Sequence, residues 1–192
     1  MKLYGFIGEG DSETVLLMSE MFKGILNEYD IESVGEFNAE GRGNLLKRKE
    51  RIESYFKIFE DRSAEKVFVL SDLELEACIS VYKQKLYQYS SSKVDIVAVK
   101  AIESWVLSDT ETLQNMLKKR FQFAEPEKTT NLPLEDLQNI FMTETGRGLG
   151  KSKSKIMKKF LFNGFSINSA AEHPNNKSAK YFLRKLQEFS EE

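Results

Sequence analysis

Leu3-Tyr4-Gly5-Phe6-Ile7, running straight into Gly8-Glu9-Gly10-Asp11-Ser12-Glu13, is the stretch on which the fold turns. A short, mostly apolar run of strand length meets an acidic turn flanked by glycines. Val15, Leu16, Met18, Met21, Phe22, Ile25 and Leu26 then recur at helical spacing. The same cadence follows three more times. Ile31 to Phe37 precedes a helical pattern of Leu45, Leu46, Ile52, Tyr55, Phe56 and Phe59. Val67-Phe68-Val69-Leu70 precedes a helix predicted from Leu75 to Tyr89, and Val94 to Val99 precedes Ile102, Trp105 and Val106.

Strands alternating with helices of this length imply right-handed crossovers and a parallel sheet. Continuous apolar runs, rather than strict alternation, suit strands covered on both faces. The expectation is therefore an α/β domain over residues 1–109, with a four-stranded, mainly parallel sheet flanked by helices. Residues 110–192 read as a mostly helical extension packed on it. Ser108 with Glu111 resembles a capping box opening a helix to about Arg120. A short helix is expected from Pro133 to Phe141, and another from about Lys151 to Phe162 after the turn Gly146-Arg147-Gly148-Leu149-Gly150. Pro174 stands as the first residue of a last helix through Tyr181, Phe182, Leu183, Leu186 and Phe189.

Composition narrows the function classes. With 192 residues, 41% of them apolar and 30% charged, the chain suits one core-forming domain with a short appendage, and excludes disorder and collagen. No window approaches the roughly 18 uncharged apolar residues of a membrane span. The N-terminus enters the first strand without a basic region or cleavage site, so no secretory signal is expected. A single Cys78 excludes an internal disulfide and a cysteine zinc site, and suits a reducing, cytoplasmic setting.

The position of the acids is more informative than their number. Glu9 falls just past the first strand, Asp72 and Glu74 just past the third, and Glu103 just past the fourth. In a parallel sheet the carboxyl ends of all strands share one edge, which is where open α/β folds bind ligands. Asp72 and Glu74 are two apart, so on an extended backbone they point the same way. Glu9 and Glu13 are four apart and share a face if the helix starts near Gly10. So many carboxylates in one crevice repel one another unless protons or cations intervene. An oxygen-only set suits Mg²⁺ or Mn²⁺, singly or as a pair about 4 Å apart, completed by water and phosphate oxygens. Glu9 could instead merely complement the positive end of the next helix, an effect of roughly 0.3–1 kcal/mol, but Gly8 and Gly10 leave room for a ligand beside the backbone.

Glu9-Gly10-Asp11-Ser12-Glu13 after a first strand and Asp72-Leu73-Glu74 after a third resemble the signature of the TOPRIM domain, over about residues 1–109. That family includes type IA topoisomerases, bacterial primases, small ribosomal-RNA maturases and the OLD-family nucleases. Ile102-Glu103-Ser104-Trp105-Val106-Leu107-Ser108-Asp109 and Ser178-Ala179-Lys180-Tyr181-Phe182-Leu183 resemble motifs of compact bacterial TOPRIM-like proteins, often encoded beside ATPases. The resemblance implies a Rossmann-like TOPRIM fold and a nuclease. It assigns Glu9 to acid/base chemistry or metal binding, and Asp72 and Glu74 to a divalent metal. Glu13 joins them by the OLD-type pattern. It also implies a place for a basic residue, here Lys151, near the metals, and a role in phage or plasmid defence. The family's second motif is usually Asp-x-Asp; glutamate at position 74 adds a methylene and alters the metal geometry.

Net charge is −2, yet residues 1–40 hold 9 acids against 2 bases, an excess of 9 − 2 = 7. Arg42, Lys47, Arg48, Lys49 and Arg51 cluster, as do Arg147, Lys151, Lys153, Lys155, Lys158 and Lys159. Such clusters are the electrostatic footprint of a polyanion, or else simply solvated helix faces. Arg42, in Gly41-Arg42-Gly43 at the end of the second strand, could clamp a phosphate bidentately. Lys47, Arg147, Lys151 and Lys153 are the other candidate contacts to DNA or RNA. Gly150-Lys151-Ser152 is not a phosphate-binding P-loop, because its partner glycine is out of register and a helix precedes it. One histidine, His173, and one cysteine give little support to triad chemistry. Two readings stand: a metal-dependent nuclease, or a non-catalytic or conditionally active subunit that binds nucleic acid or an ATPase partner.

Overall fold

In the computed structural model, which describes residues 1–86 and 89–191, the chain is an α/β protein with a four-stranded, entirely parallel sheet. In order along the chain lie β1 (Lys2–Gly8), α1 (Asp11–Leu17), α2 (Glu20–Glu28), β2 (Ile31–Asn38), α3 (Arg42–Lys47), α4 (Lys49–Asp61), β3 (Lys66–Asp72), α5 (Ile79–Lys85), β4 (Lys93–Ala98) and α6 (Glu103–Ser108). There follow α7 (Thr110–Leu117), α8 (Pro133–Thr145), α9 (Lys153–Phe162), α10 (Ile167–Glu172) and α11 (Lys177–Ser190). The strand order β2-β1-β3-β4 is Rossmann-like, with the direction of winding reversing between β1 and β3.

Two-residue periodicity sends each strand's side chains alternately to two cores. Tyr4, Phe6, Phe68, Leu70, Ile96 and Ala98 face one, where Phe182 of α11 lies 5.7 Å from Phe22, 6.0 Å from Phe68 and 5.8 Å from Trp105. Ile7, Val67, Val69 and Val97 face the other, against Ile52, Phe56 and Phe59 of α4 and Tyr82 of α5. Gly5 is needed there, since a Cβ would fall 2.4 Å from the Phe59 ring. Among the described residues no helix is long and apolar enough to cross a membrane.

Several local expectations are corrected. The first helical pattern is two helices, broken at Ser19, whose hydroxyl accepts the Phe22 N–H at 3.1 Å and caps α2. The helix expected from Leu75 to Tyr89 is only α5. Leu75 is 87% exposed, and positions 87 and 88 lie outside the described residues. Pro174 does not open the last helix; Asn176 caps it, accepting the Ala179 N–H at 3.0 Å. Helix α10 has no counterpart in the hydropathy reading. Its six residues span too few turns to show a period.

The Ser108 capping box is replaced by Asp109. Its carboxylate, buried between α6 and α7, accepts from the Thr112 N–H (3.0 Å), the Thr112 hydroxyl (2.9 Å) and the Ser166 N–H (3.1 Å). One side chain thus starts α7 and anchors the approach to α10. Asp109→Ala is expected to cost about 2–4 kcal/mol in urea unfolding, combining a lost cap with buried unpaired donors. Ser108→Ala, which leaves the cap intact, is expected to cost less.

Candidate metal and phosphate site

The parallel register aligns Gly8 with Leu70 and Asp72 with Ala98, so β1, β3 and β4 end at one rim. There the Glu9 N–H donates to the Leu70 carbonyl at 2.8 Å, and the Glu9 carboxylate turns to β3. Its Oε2 accepts the Asp72 N–H and the Tyr82 hydroxyl, each at 3.3 Å. Asp72 in turn accepts the Ile102 N–H on Oδ1 at 2.8 Å, tying β3 to the start of α6. Gly8 lets α1 pack this close, since a Cβ would fall 2.8 Å from the Thr14 nitrogen. That brings Glu13 of α1 to the rim, where its Oε2 accepts the Gly10 N–H at 2.9 Å. Glu103, first residue of α6, is 2% exposed, and neither of its oxygens has a hydrogen-bond partner. Lys153 Nζ, from the first turn of α9, lies 3.8 Å from Glu103 Oε1. Glu9, Glu13, Asp72, Glu74, Ser152 and Lys153 line a cleft of about 360 Å³, and Glu103 adjoins it through Lys153.

Four acids that are nearly out of water, on separate elements, perturb one another. Burial pushes the Asp72 carboxyl well above its ordinary range, and the charges of Glu13, Glu103 and Glu9 push it further. Glu13 is raised to about 7 by burial and by Glu103 and Glu9. Burial also raises Glu9 against the pull of the Asp72 N–H. It raises Glu103 against the pull of Lys153. Burial alone would lower Lys153, but Glu103, Asp72, Glu13 and Glu74 hold its ammonium above the usual lysine range.

The site expected from sequence is redrawn in four places. Asp72 and Glu74 do not point together: β3 ends at Asp72, and Glu74 has a left-handed backbone (φ +52°) that turns its carboxylate to Arg42 at 3.2 Å. Arg42 is a strut rather than a phosphate clamp. Its donors reach the Asp72 and Leu73 carbonyls, Glu74 and, at 3.0 Å, Glu76, while its guanidinium lies 4.5 Å over the Tyr82 ring. The lysine at the acids is Lys153, since α9 begins there; Lys151 is exposed in the preceding turn and does not line the cleft. Lys47 lines a separate concavity with Arg48, Lys49 and Arg51, and Arg147 is exposed between α8 and α9.

Tyr82 is a site residue that the sequence reading missed. Its only signal was an aromatic on the buried face of the helix after β3. Backbone strain also gathers at this rim. Glu40, Glu74 and Lys100, each just past a strand, have positive φ, a conformation costing roughly 1–2 kcal/mol for a non-glycine residue.

Comparison with protein-family models, curated proteins and solved structures finds no match to the chain. Among the described residues no group of three or more His, Cys, Asp or Glu side chains is arranged to hold a metal ion as it stands. The donor set nevertheless fits a hard cation in kind, being all oxygen, with the two buried Glu103 oxygens lacking hydrogen-bond donors beside Asp72 and Glu13.

The raised carboxyls fix a pH dependence. The folded protein holds protons that the unfolded chain releases, so stability falls as pH climbs from the ordinary carboxyl value of 4.5 to about 7. In EDTA, the urea midpoint is expected to be higher at pH 5 than at pH 8. Glu13→Gln is expected to flatten that difference; an opposite slope would contradict the charge cluster.

Proposed function

We propose that this cleft is the active centre of a metal-dependent phosphodiesterase acting on DNA or RNA, in the manner of TOPRIM nucleases. The observation that carries the proposal is the convergence of Glu9, Glu13, Asp72 and Glu103, from four elements, into one buried cluster faced by Lys153. Acids so costly to bury together are the expected signature of a site tuned for a cation or a proton.

In this reading Asp72, Glu13 and Glu103, with Glu9 or Glu74 at the margin, hold one or two Mg²⁺ or Mn²⁺ ions. Such an ion, when bound, supplies Lewis-acid polarisation of the phosphoryl group. Glu9, oriented by the Asp72 N–H and the Tyr82 hydroxyl, takes the proton of the water that attacks phosphorus. Lys153 balances the negative charge that develops on the phosphoryl oxygens as the bridging oxygen leaves. The basic face of α9, with Lys155, Lys158 and Lys159, and the outlying Lys47, Arg147 and Lys151 supply sequence-independent attraction to the phosphate backbone.

A second reading has an observation of its own. Among the described residues no three acids are pre-arranged around an ion, and Glu74 is held by Arg42. A subunit that becomes competent only when nucleic acid or an ATPase partner reshapes the rim has this resting state.

Calorimetry with Mg²⁺ and Mn²⁺, and cleavage of labelled DNA and RNA, test both readings. Binding and cleavage are expected, with Glu9→Gln and Asp72→Asn each lowering the rate by about 10²–10³-fold or more. Cleavage that survives both substitutions overturns the mechanism. Metal binding without cleavage by the isolated chain favours the second reading. Lys153→Ala is expected to slow cleavage far more than Lys151→Ala, which removes one charge outside the cleft.

A further inference from the structure

A second cavity, of about 320 Å³, opens along the edge strand β4 and shares no lining residue with the carboxylate cleft. Its walls are Val97 and Val99 of the strand end, Ile79 of α5 and Tyr181 of α11. Lys83, Lys177, Ser80 and Ser178 complete it.

The edge of β4 is specific here. The Ser92 and Ala98 carbonyls accept from Val67 and Leu73, so the even-numbered residues turn their backbone groups to β3. The odd-numbered ones face the open side. There the Asp95 carbonyl accepts from Lys83 Nζ at 2.6 Å and the Val99 N–H donates to Ser178 Oγ at 3.3 Å. Val97 stands between these two closed positions, its own backbone groups on the same open side.

The side chains that line the cavity carry charge of one sign. Two lysines and no acid line the cavity. Three cations surround the Tyr181 ring: Lys83 at 5.0 Å, Arg184 at 5.3 Å and Lys185 at 5.9 Å. Three acids stand nearby, each already engaged, Glu127 at the cavity wall itself. Glu127 accepts the Ser178 N–H at 2.7 Å, Asp95 pairs with Lys93 at 2.7 Å, and Glu188 pairs with Lys185 at 2.8 Å. Its volume lies at the lower end of small-molecule sites, with an apolar wall and a few placed polar groups.

We propose that this cavity binds a small amphipathic anion, an apolar body of medium-chain length carrying one carboxylate or phosphate. The body lies against Val97, Val99 and Ile79, and the head group sits between Lys83 and Lys177. The site is independent of phosphodiester chemistry and stands or falls apart from it. A ligand there touches Ser178, whose hydroxyl also accepts the Trp105 Nε1–H of α6 at 2.7 Å, two residues from Glu103.

The test is calorimetry on the full chain with octanoate, octyl phosphate and octylammonium. One molecule of octanoate or octyl phosphate is expected to bind per chain, with a Kd on the order of 0.1–1 mM for so small a ligand. The tighter of the two identifies the head group, and octylammonium is expected to bind at least tenfold more weakly. Lys177→Glu, and Ser80→Trp at the exposed mouth, should each weaken the anion tenfold or more, while Lys177→Arg retains binding; circular dichroism checks that each variant is folded. The proposal is overturned if octylammonium binds as well as octanoate, if Lys177→Glu leaves the affinity unchanged, or if neither anion binds.

Discussion

Moving a carboxylate out of water is expensive, and crowding several together is worse. An isolated ion loses several kcal/mol even after the protein relaxes, and each like charge nearby adds to that. Glu9, Glu13, Asp72 and Glu103 are all at most 7% exposed at one sheet edge. The fold tolerates them through three kinds of relief. Backbone N–H groups of Gly10, Asp72 and Ile102 serve three of the four acids. Lys153 faces the fourth. Protons retained above the ordinary carboxyl range remove part of the charge. What stabilises the whole is elsewhere, in the two apolar cores that clamp the sheet from both faces.

The sheet converts sequence order into proximity. Glu9 and Asp72 are 63 residues apart, yet parallel pairing places their strand ends side by side, and one side chain reaches the other's backbone. This much was legible in the sequence, because four apolar runs, each ending in an acid or a glycine turn, are local features. A parallel sheet then leaves little freedom about which ends meet. Register supplies the rest, and register follows from burying both faces.

What was not legible depended on one dihedral angle or on a distant partner. Glu74 turns away from Asp72 because its backbone is left-handed, a choice fixed by how the loop meets Arg42 and not by residues 72–74 alone. Arg42 looked like a phosphate clamp because its flanking glycines are local, whereas its acceptors lie 30 to 34 residues on. Lys151 and Lys153 are indistinguishable by charge. Only the start of α9, set by the Ser152 hydroxyl accepting the Lys155 N–H, decides which enters the cleft. The Ser108–Glu111 spacing points one residue too early: Asp109 is the cap, and one of its donors, Ser166, is 57 residues away.

The C-terminal helices also take part in the site. The acidic rim is built by β1, α1, β3 and α6, all within the first 109 residues, but Lys153 and Ser152 come from α9. Arg42, paired with Glu74 and Glu76, eases only Glu9, whereas Lys153 acts on Asp72 and Glu103. Helix α9 is held by Ile156, Met157 and Phe160 in the core that also contains Leu16 and Leu17 of α1, which fixes its first turn over the acids. Its positive end and its lysine therefore face the cluster together, and each favours negative charge in the cleft. A scaffold that needs this offset at rest also presents, at the same point, the charge that a phosphate group would meet on arrival. Stability of the acidic rim thus depends on where one helix begins.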